Sequence, residues 1–87
     1  MDTFFIKYNG FVYAVLHLCD AFTKWSMFYV CEGAMPTGAE TIAALSKWKS
    51  IWGSPPEVVF SDGGSEFINS KMFYFCISEN VVHLRSV

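Results

Sequence analysis

Charge is scarce in this sequence: 16% of its 87 residues are Asp, Glu, Lys or Arg, and the formal net charge is −2. A basic stripe, the electrostatic footprint of a domain that binds nucleic acid unaided, is therefore missing. Nucleic-acid binding by this segment would need a metal to offset its carboxylates, or basic residues supplied from elsewhere. Long apolar runs are missing too. The longest uncharged one, Phe11 to Cys19, is far too short to span a bilayer, so no membrane partner is expected. Asp2 stands where a secretory leader would carry positive charge, and no targeting segment is read. Cysteine is sparse and odd in number. Cys19, Cys31 and Cys76 lie in apolar runs without zinc-type spacing, while His17 and His83 are far apart in the chain. The expectation is buried, reduced thiols in an intracellular protein, with no Cys/His nucleophile. His17, inside a strand-like run, reads as a core or sheet-face histidine.

What is abundant is apolar surface. The sequence is 53% hydrophobic and 18% aromatic, whereas a chain of this size buries only roughly 60–65% of its unfolded surface. That excess points to an obligate partner or to a piece of a larger domain whose remainder covers the exposed face, and the second is favoured.

Periodicity orders the chain. Thr3 to Lys7 reads as a strand, and Asn9-Gly10 supplies a tight hairpin turn into a second, Phe11 to Cys19, whose lack of polar alternation suits a central position. Asp20 to Lys24 connects to a third strand, Trp25 to Cys31. Thr37 and Glu40 have the spacing of a capping box. Ile42, Leu45, Trp48 and Trp52 then recur at helical spacing as core, and Gly53 with Pro55-Pro56 stops the helix. Glu57 to Ser61 is a fourth strand. Ser70 is expected to cap a helix over Lys71 to Glu79, with apolar faces from Met72, Phe73, Phe75, Cys76 and Ile77. Asn80 closes it, and Val81 to Arg85 is a fifth strand. The order predicts an α/β domain: a three-strand antiparallel meander, then helix-strand-helix-strand, in one mixed sheet.

Within this frame Val58-Val59-Phe60-Ser61-Asp62-Gly63-Gly64-Ser65-Glu66-Phe67 stands out. Asp62 falls at a strand tip, and Gly63 and Gly64 allow backbone or ligand to approach closely. Read by itself, Ser-Asp-Gly-Gly is an ordinary turn. A second carboxylate converging on Asp62 would make it a divalent-metal ligand, and whether Asp2 does so is left open by the residues alone.

Asp2, the Asn9-Gly10 hairpin, Cys19-Asp20-Ala21-Phe22-Thr23-Lys24-Trp25 and Ser61-Asp62-Gly63-Gly64-Ser65-Glu66-Phe67 together resemble an integrase catalytic core of the retroviral and gypsy-like LTR retrotransposon type. Val82 to Ser86 is similar to the strand leading into the family's Tyr-His-Pro-Gln region, and the likeness runs collinearly along the chain. It implies a ribonuclease H-like fold, with residues 1–87 forming a partial catalytic core domain incomplete at the C-terminus. It also implies a two-metal site for Mg²⁺ or Mn²⁺ built from two Asp and one Glu, acting in DNA 3′-end cleavage and strand transfer. Asp2 would be the first acid and Asp62 the second. Asp20 falls at a structural position, and Gly63 and Gly64 lie in the substrate loop, where Gly63 replaces the family's usual Asn. No Glu follows Glu79, so the third acid is absent, and Glu66 would approach the site at most from outside it. The expectation is an inactive fragment of a DNA-acting, self-associating parent, with nuclear action as in the family. The alternatives are an inert remnant or retrotransposon-derived interaction module, and an unrelated α/β domain in which Asp62 is only a turn residue.

Overall fold

A computed structural model describes residues 1–86. Their order is β1 (Asp2–Tyr8), β2 (Phe11–Cys19), β3 (Ser26–Val30), α1 (Gly38–Trp52), β4 (Val58–Ser61), α2 (Ser70–Glu79) and β5 (Val82–Arg85), which reproduces the expected succession. The chain divides into two compact units, Met1–Pro36 and the remainder from Thr37.

The first unit is an antiparallel sheet in the order β1-β2-β3. Its hairpin closes through Asn9 (φ 51°) and Gly10 (φ 80°), the two left-handed positions that an Asn-Gly turn supplies at least strain. That turn pairs Tyr8 with Phe11 and sets the register out to Asp2 opposite His17. β2 is central, and Ala14, Val15, Leu16 and Leu18 in it are buried. The β2–β3 connection is held by Asp20, whose Oδ2 accepts from the Thr23 N–H at 2.8 Å and the Thr23 hydroxyl at 2.7 Å. These bonds, the hydroxyl's first, hold the Asp20 carboxyl below its ordinary range. Asp20 thus has the turn role expected of it. Cys19 is exposed while Cys31 is buried and Cys76 half-buried, all three as reduced thiols. The expectation of three buried cysteines therefore fails at Cys19, the last residue of β2, and is met in full only at Cys31.

In the second unit β4 and β5 pair in parallel, from Val58↔Val82 to Ser61↔Arg85, and α2 makes the crossover that a parallel pair requires. α1 begins where Thr37 accepts from the Glu40 N–H (3.3 Å) and its hydroxyl donates to Glu40 Oε1 (3.2 Å). It ends at Gly53 (φ 83°), whose N–H bonds to the Lys49 carbonyl. Thr41, Ala44, Leu45 and Trp48 are its buried residues. Trp52, expected in the core, is 47% exposed. It lies tilted on Trp48 at 5.8 Å between ring centroids. Ile42 is only half-buried.

The cap of α2 is Asn69, not Ser70: the Asn69 Oδ1 accepts from the Met72 N–H at 2.9 Å, and Ser70 is already helical. Asn outcompetes Ser here because its longer amide also donates backward into the preceding loop. Asn80 closes the helix at φ 57°, as anticipated. Phe73 and Ile77, counted among the apolar contacts of this helix, stand 62% and 63% exposed; only Met72 is fully buried. Lys49 joins the helices by donating to both carboxylate oxygens of Glu79, at 2.9 and 3.2 Å.

Candidate functional site

Asp62 follows directly on β4, exposed at the strand end. Its Oδ1 accepts from the Gly64 N–H at 2.9 Å, which turns the carboxylate over its own loop. The two glycines differ. Neither has a left-handed φ, and a Cβ on Gly63 would meet nothing within 4 Å. A Cβ on Gly64 would collide with the Glu66 Oε1 and lie 3.0 Å from the Asp62 Oδ1. Gly64 is thus the cradle under two carboxylates, and Gly63 is dispensable for space. Burial, followed by the negative charge of Asp62, raises the Glu66 carboxyl above its ordinary value.

The loop beyond Asp62 is pinned from three sides. Phe67 is fully buried, and its N–H and that of Ile68 both donate to the Gly64 carbonyl at 3.0 Å. The buried Thr41 hydroxyl, from α1, donates to the Glu66 carbonyl at 2.7 Å. Asn69 Nδ2 donates to the carbonyls of Ser65 and Glu66, both at 2.9 Å. At the base, Ser61 is buried and its hydroxyl donates to the Asp62 carbonyl at 3.0 Å. The same hydroxyl lies 2.6 Å from His83 Nε2, with donor and acceptor set by the imidazole tautomer. Burial, then the positive charge of Arg85, lowers the His83 pKa.

Asp2, in the first unit, opens β1 and is exposed. Its Oδ1 lies 3.3 Å from His17 Nδ1, and His17 Nε2 lies 3.0 Å from the Ser26 hydroxyl. The His17 ring stacks on Phe28 at 4.7 Å and 8° between planes. His17 is the sheet-face histidine that the sequence suggests. The sequence reading does not contain its place beside Asp2, nor the roles of Ser26, Thr41 and Asn69.

The donor chemistry at Asp2 and Asp62, exposed carboxylate oxygen, suits a hard divalent cation. Among the described residues no group of three or more His, Cys, Asp or Glu side chains is gathered to hold one. The buried Thr3 Oγ1, which lacks a hydrogen-bond partner, lies on the face of β1 opposite Asp2 by strand alternation and adds no ligand. Each carboxylate alone has the donor chemistry, and neither stands in such a group.

No protein-family model matches the chain, and no curated protein matches it. Solved structures do. The HTLV-2 integrase catalytic core domain in complex with magnesium, in its dimeric form, is 26% identical at a TM-score of 0.88, over 99% of this chain and 57% of that one. Its trimeric form gives 26% and 0.83, over 98% and 55%. A chain of the simian T-cell lymphotropic virus intasome in complex with a PP2A regulatory subunit matches in fold, at 20% identity and a TM-score of 0.89 over 99% of this chain and 30% of that one. This chain spans about half the length of the HTLV-2 core chains. The mixed α/β architecture expected from the sequence is borne out as a ribonuclease H-like one.

Proposed function

We propose that this chain, an integrase catalytic core domain by fold, is part of a two-metal polynucleotidyl transferase of a retroviral or LTR-retrotransposon Pol polyprotein. Asp2 and Asp62 are its first two metal-binding acids, and residues 1–87 are one partial core domain. The observation that carries the reading is the likeness to the magnesium-bound HTLV-2 core along 98–99% of this chain at 26% identity. Asp62 at the end of β4, over a loop where Gly64 leaves room for carboxylates, agrees with it. When bound, Mg²⁺ or Mn²⁺ supplies activation of a water or a DNA 3′-hydroxyl and stabilisation of the leaving oxygen. The chain's own part is to present Asp2 and Asp62 and to keep the loop after Asp62 close to the substrate backbone through Gly63 and Gly64. DNA is the partner in this reading, and assembly with further copies follows the dimeric and trimeric forms of the HTLV-2 core.

Residues 1–87 supply two acids of the three, so the polypeptide should bind cation weakly and cut no DNA. Mn²⁺ at tenfold its Kd should stabilise the protein by about 1.4 kcal/mol, seen as a rise in melting temperature of several degrees. Asp62→Asn should abolish the rise and Asp20→Asn should keep it. The opposite pattern refutes the assignment.

A second reading, a remnant kept as an interaction module, is favoured by one observation. Phe4, Ile6, Tyr8, Phe11, Phe28 and Val30 alternate onto one face of the β1-β2-β3 sheet and are 39–67% exposed. It predicts self-association in sedimentation without any response to Mn²⁺, and a monodisperse monomer counts against it.

A further inference from the structure

In the first sheet β3 is an outer strand, flanked by β2 on one side only. Two backbone bonds just beyond its ends fix which of its groups look outward. The Trp25 carbonyl accepts from the Asp20 N–H, and the Cys31 N–H donates to the Ala14 carbonyl, both at 2.8 Å. Backbone direction alternates along a strand, so Met27 and Tyr29 also turn toward Leu18 and Leu16, their partners in β2. Ser26, Phe28 and Val30 therefore present their N–H and C=O groups to the open side. All three are exposed, Phe28 and Val30 at 55%. Among the described residues no strand pairs with that side. Edge strands are ordinarily guarded by a charge, a proline or a bulge. Ser26-Met27-Phe28-Tyr29-Val30 has neither charge nor proline, and its register with β2 is unbroken.

We infer that β3 is a docking edge for a second copy of this chain, pairing antiparallel with the partner's β3 about a two-fold axis at Phe28. The outward residues are symmetric about Phe28. A pairing centred there sets Phe28 against the partner's Phe28 and Ser26 against the partner's Val30, so every outward group meets another. This is the self-complementary contact that a two-fold dimer demands, and it joins two three-stranded sheets into one of six. The first charges beyond the two ends of the strand are Lys24 and Glu32. They have opposite signs, and the axis brings Lys24 toward the partner's Glu32. The pairing needs neither metal nor DNA. It also differs from burial of the apolar sheet face, which would leave the edge open.

Two five-residue strands make a small interface, so association should depend on concentration. In the unsubstituted chain, hydrogen exchange followed by NMR should show protection of the Phe28 and Val30 amides rising with protein concentration. The Met27 and Tyr29 amides, already bonded to β2, should exchange slowly throughout. Sedimentation should give a dimer that Phe28→Lys and Phe28→Glu each abolish, because like charges then oppose across the axis. Mixing those two variants should restore it. Ile6→Lys, on the same face but in β1, should leave the dimer intact. A monomer at every concentration overturns the pairing, as does a mixture of the two folded variants that stays monomeric. A dimer whose Phe28 and Val30 amides exchange at a constant rate assigns association to the sheet face and overturns it too, as does loss of the dimer in folded Ile6→Lys. Where a variant fails to fold by circular dichroism, the amide pattern of the unsubstituted chain decides.

Discussion

Thr41 and Asn69 hold one atom between them, the Glu66 carbonyl oxygen, and removing them separately should cost less than removing them together. Thr41 is fully buried. Its hydroxyl lies 2.7 Å from that oxygen and 3.2 Å from the Thr37 carbonyl, so its single hydrogen goes to Glu66. Thr41→Val keeps the volume and deletes the donor. Asn69 Nδ2 still donates to Glu66 at 2.9 Å, so no acceptor is stranded, and the cost should be about 1 kcal/mol. Asn69→Ala removes the cap of α2, for about 1 kcal/mol, and both Nδ2 bonds, but leaves Thr41 on Glu66.

In the double variant the half-buried carbonyl loses both donors. A stranded buried acceptor costs about 1–3 kcal/mol; partial exposure of Glu66 brings the expected coupling to about 1 kcal/mol beyond the sum. The measurement is urea unfolding of all four proteins without metal, supported by melting temperatures, where 1 kcal/mol corresponds to about 4–8 °C in a domain this small. Additivity within about 0.3 kcal/mol refutes the reasoning. It would mean that water already serves the Glu66 carbonyl in solution and that α1 does not hold the loop after Asp62.

Three further outcomes are expected. Gly63→Ala should be neutral or stabilising by up to about 1 kcal/mol, because no atom lies within 4 Å of the new Cβ and φ is not left-handed. Gly64→Ala must displace the Glu66 carboxylate and should weaken Mn²⁺ binding in a direct titration; equal behaviour of the two variants would contradict the cradle. His83 has a folded pKa below 6.5, so the unfolded chain takes up its proton first, and stability should fall as pH drops from 6.5 to the lowered folded value. Urea midpoints for His83→Gln should show a shallower slope in that window, and an unchanged slope would place the pH dependence elsewhere.

The sequence carried the elements almost to the residue, because their punctuation is local. Asn9-Gly10, Thr37 with Glu40, Gly53 and Asn80 each do in the fold what their chemistry predicts. The misses have a common cause. Trp52, Phe73 and Ile77 match helical spacing and are exposed, since spacing tells which side chains share a helix face but not whether anything covers that face. Ser70 and Asn69 are both good caps. The choice fell to Asn69 because its amide also reaches the Ser65 and Glu66 carbonyls, a tertiary demand that a residue-by-residue reading does not contain.

Asp2 and Asp62 divide along the same line. Everything that orients the Asp62 side chain lies within a few residues of it: the Gly64 N–H that it accepts from and the Glu66 carboxylate across Gly64. A ten-residue window therefore displays it. Asp2 lies against His17, which in turn meets Ser26; these are 15 and 24 positions away in sequence, and no window around Asp2 contains either. Yet the signal was present. A two-residue Asn-Gly turn pairs the residues flanking it, and stepping outward pair by pair from Tyr8 and Phe11 arrives at Asp2 and His17 together. Register, once a turn fixes it, is long-range structural information written in short-range chemistry. A histidine that falls opposite a candidate ligand in that count should be treated as that ligand's partner before it is assigned to the core.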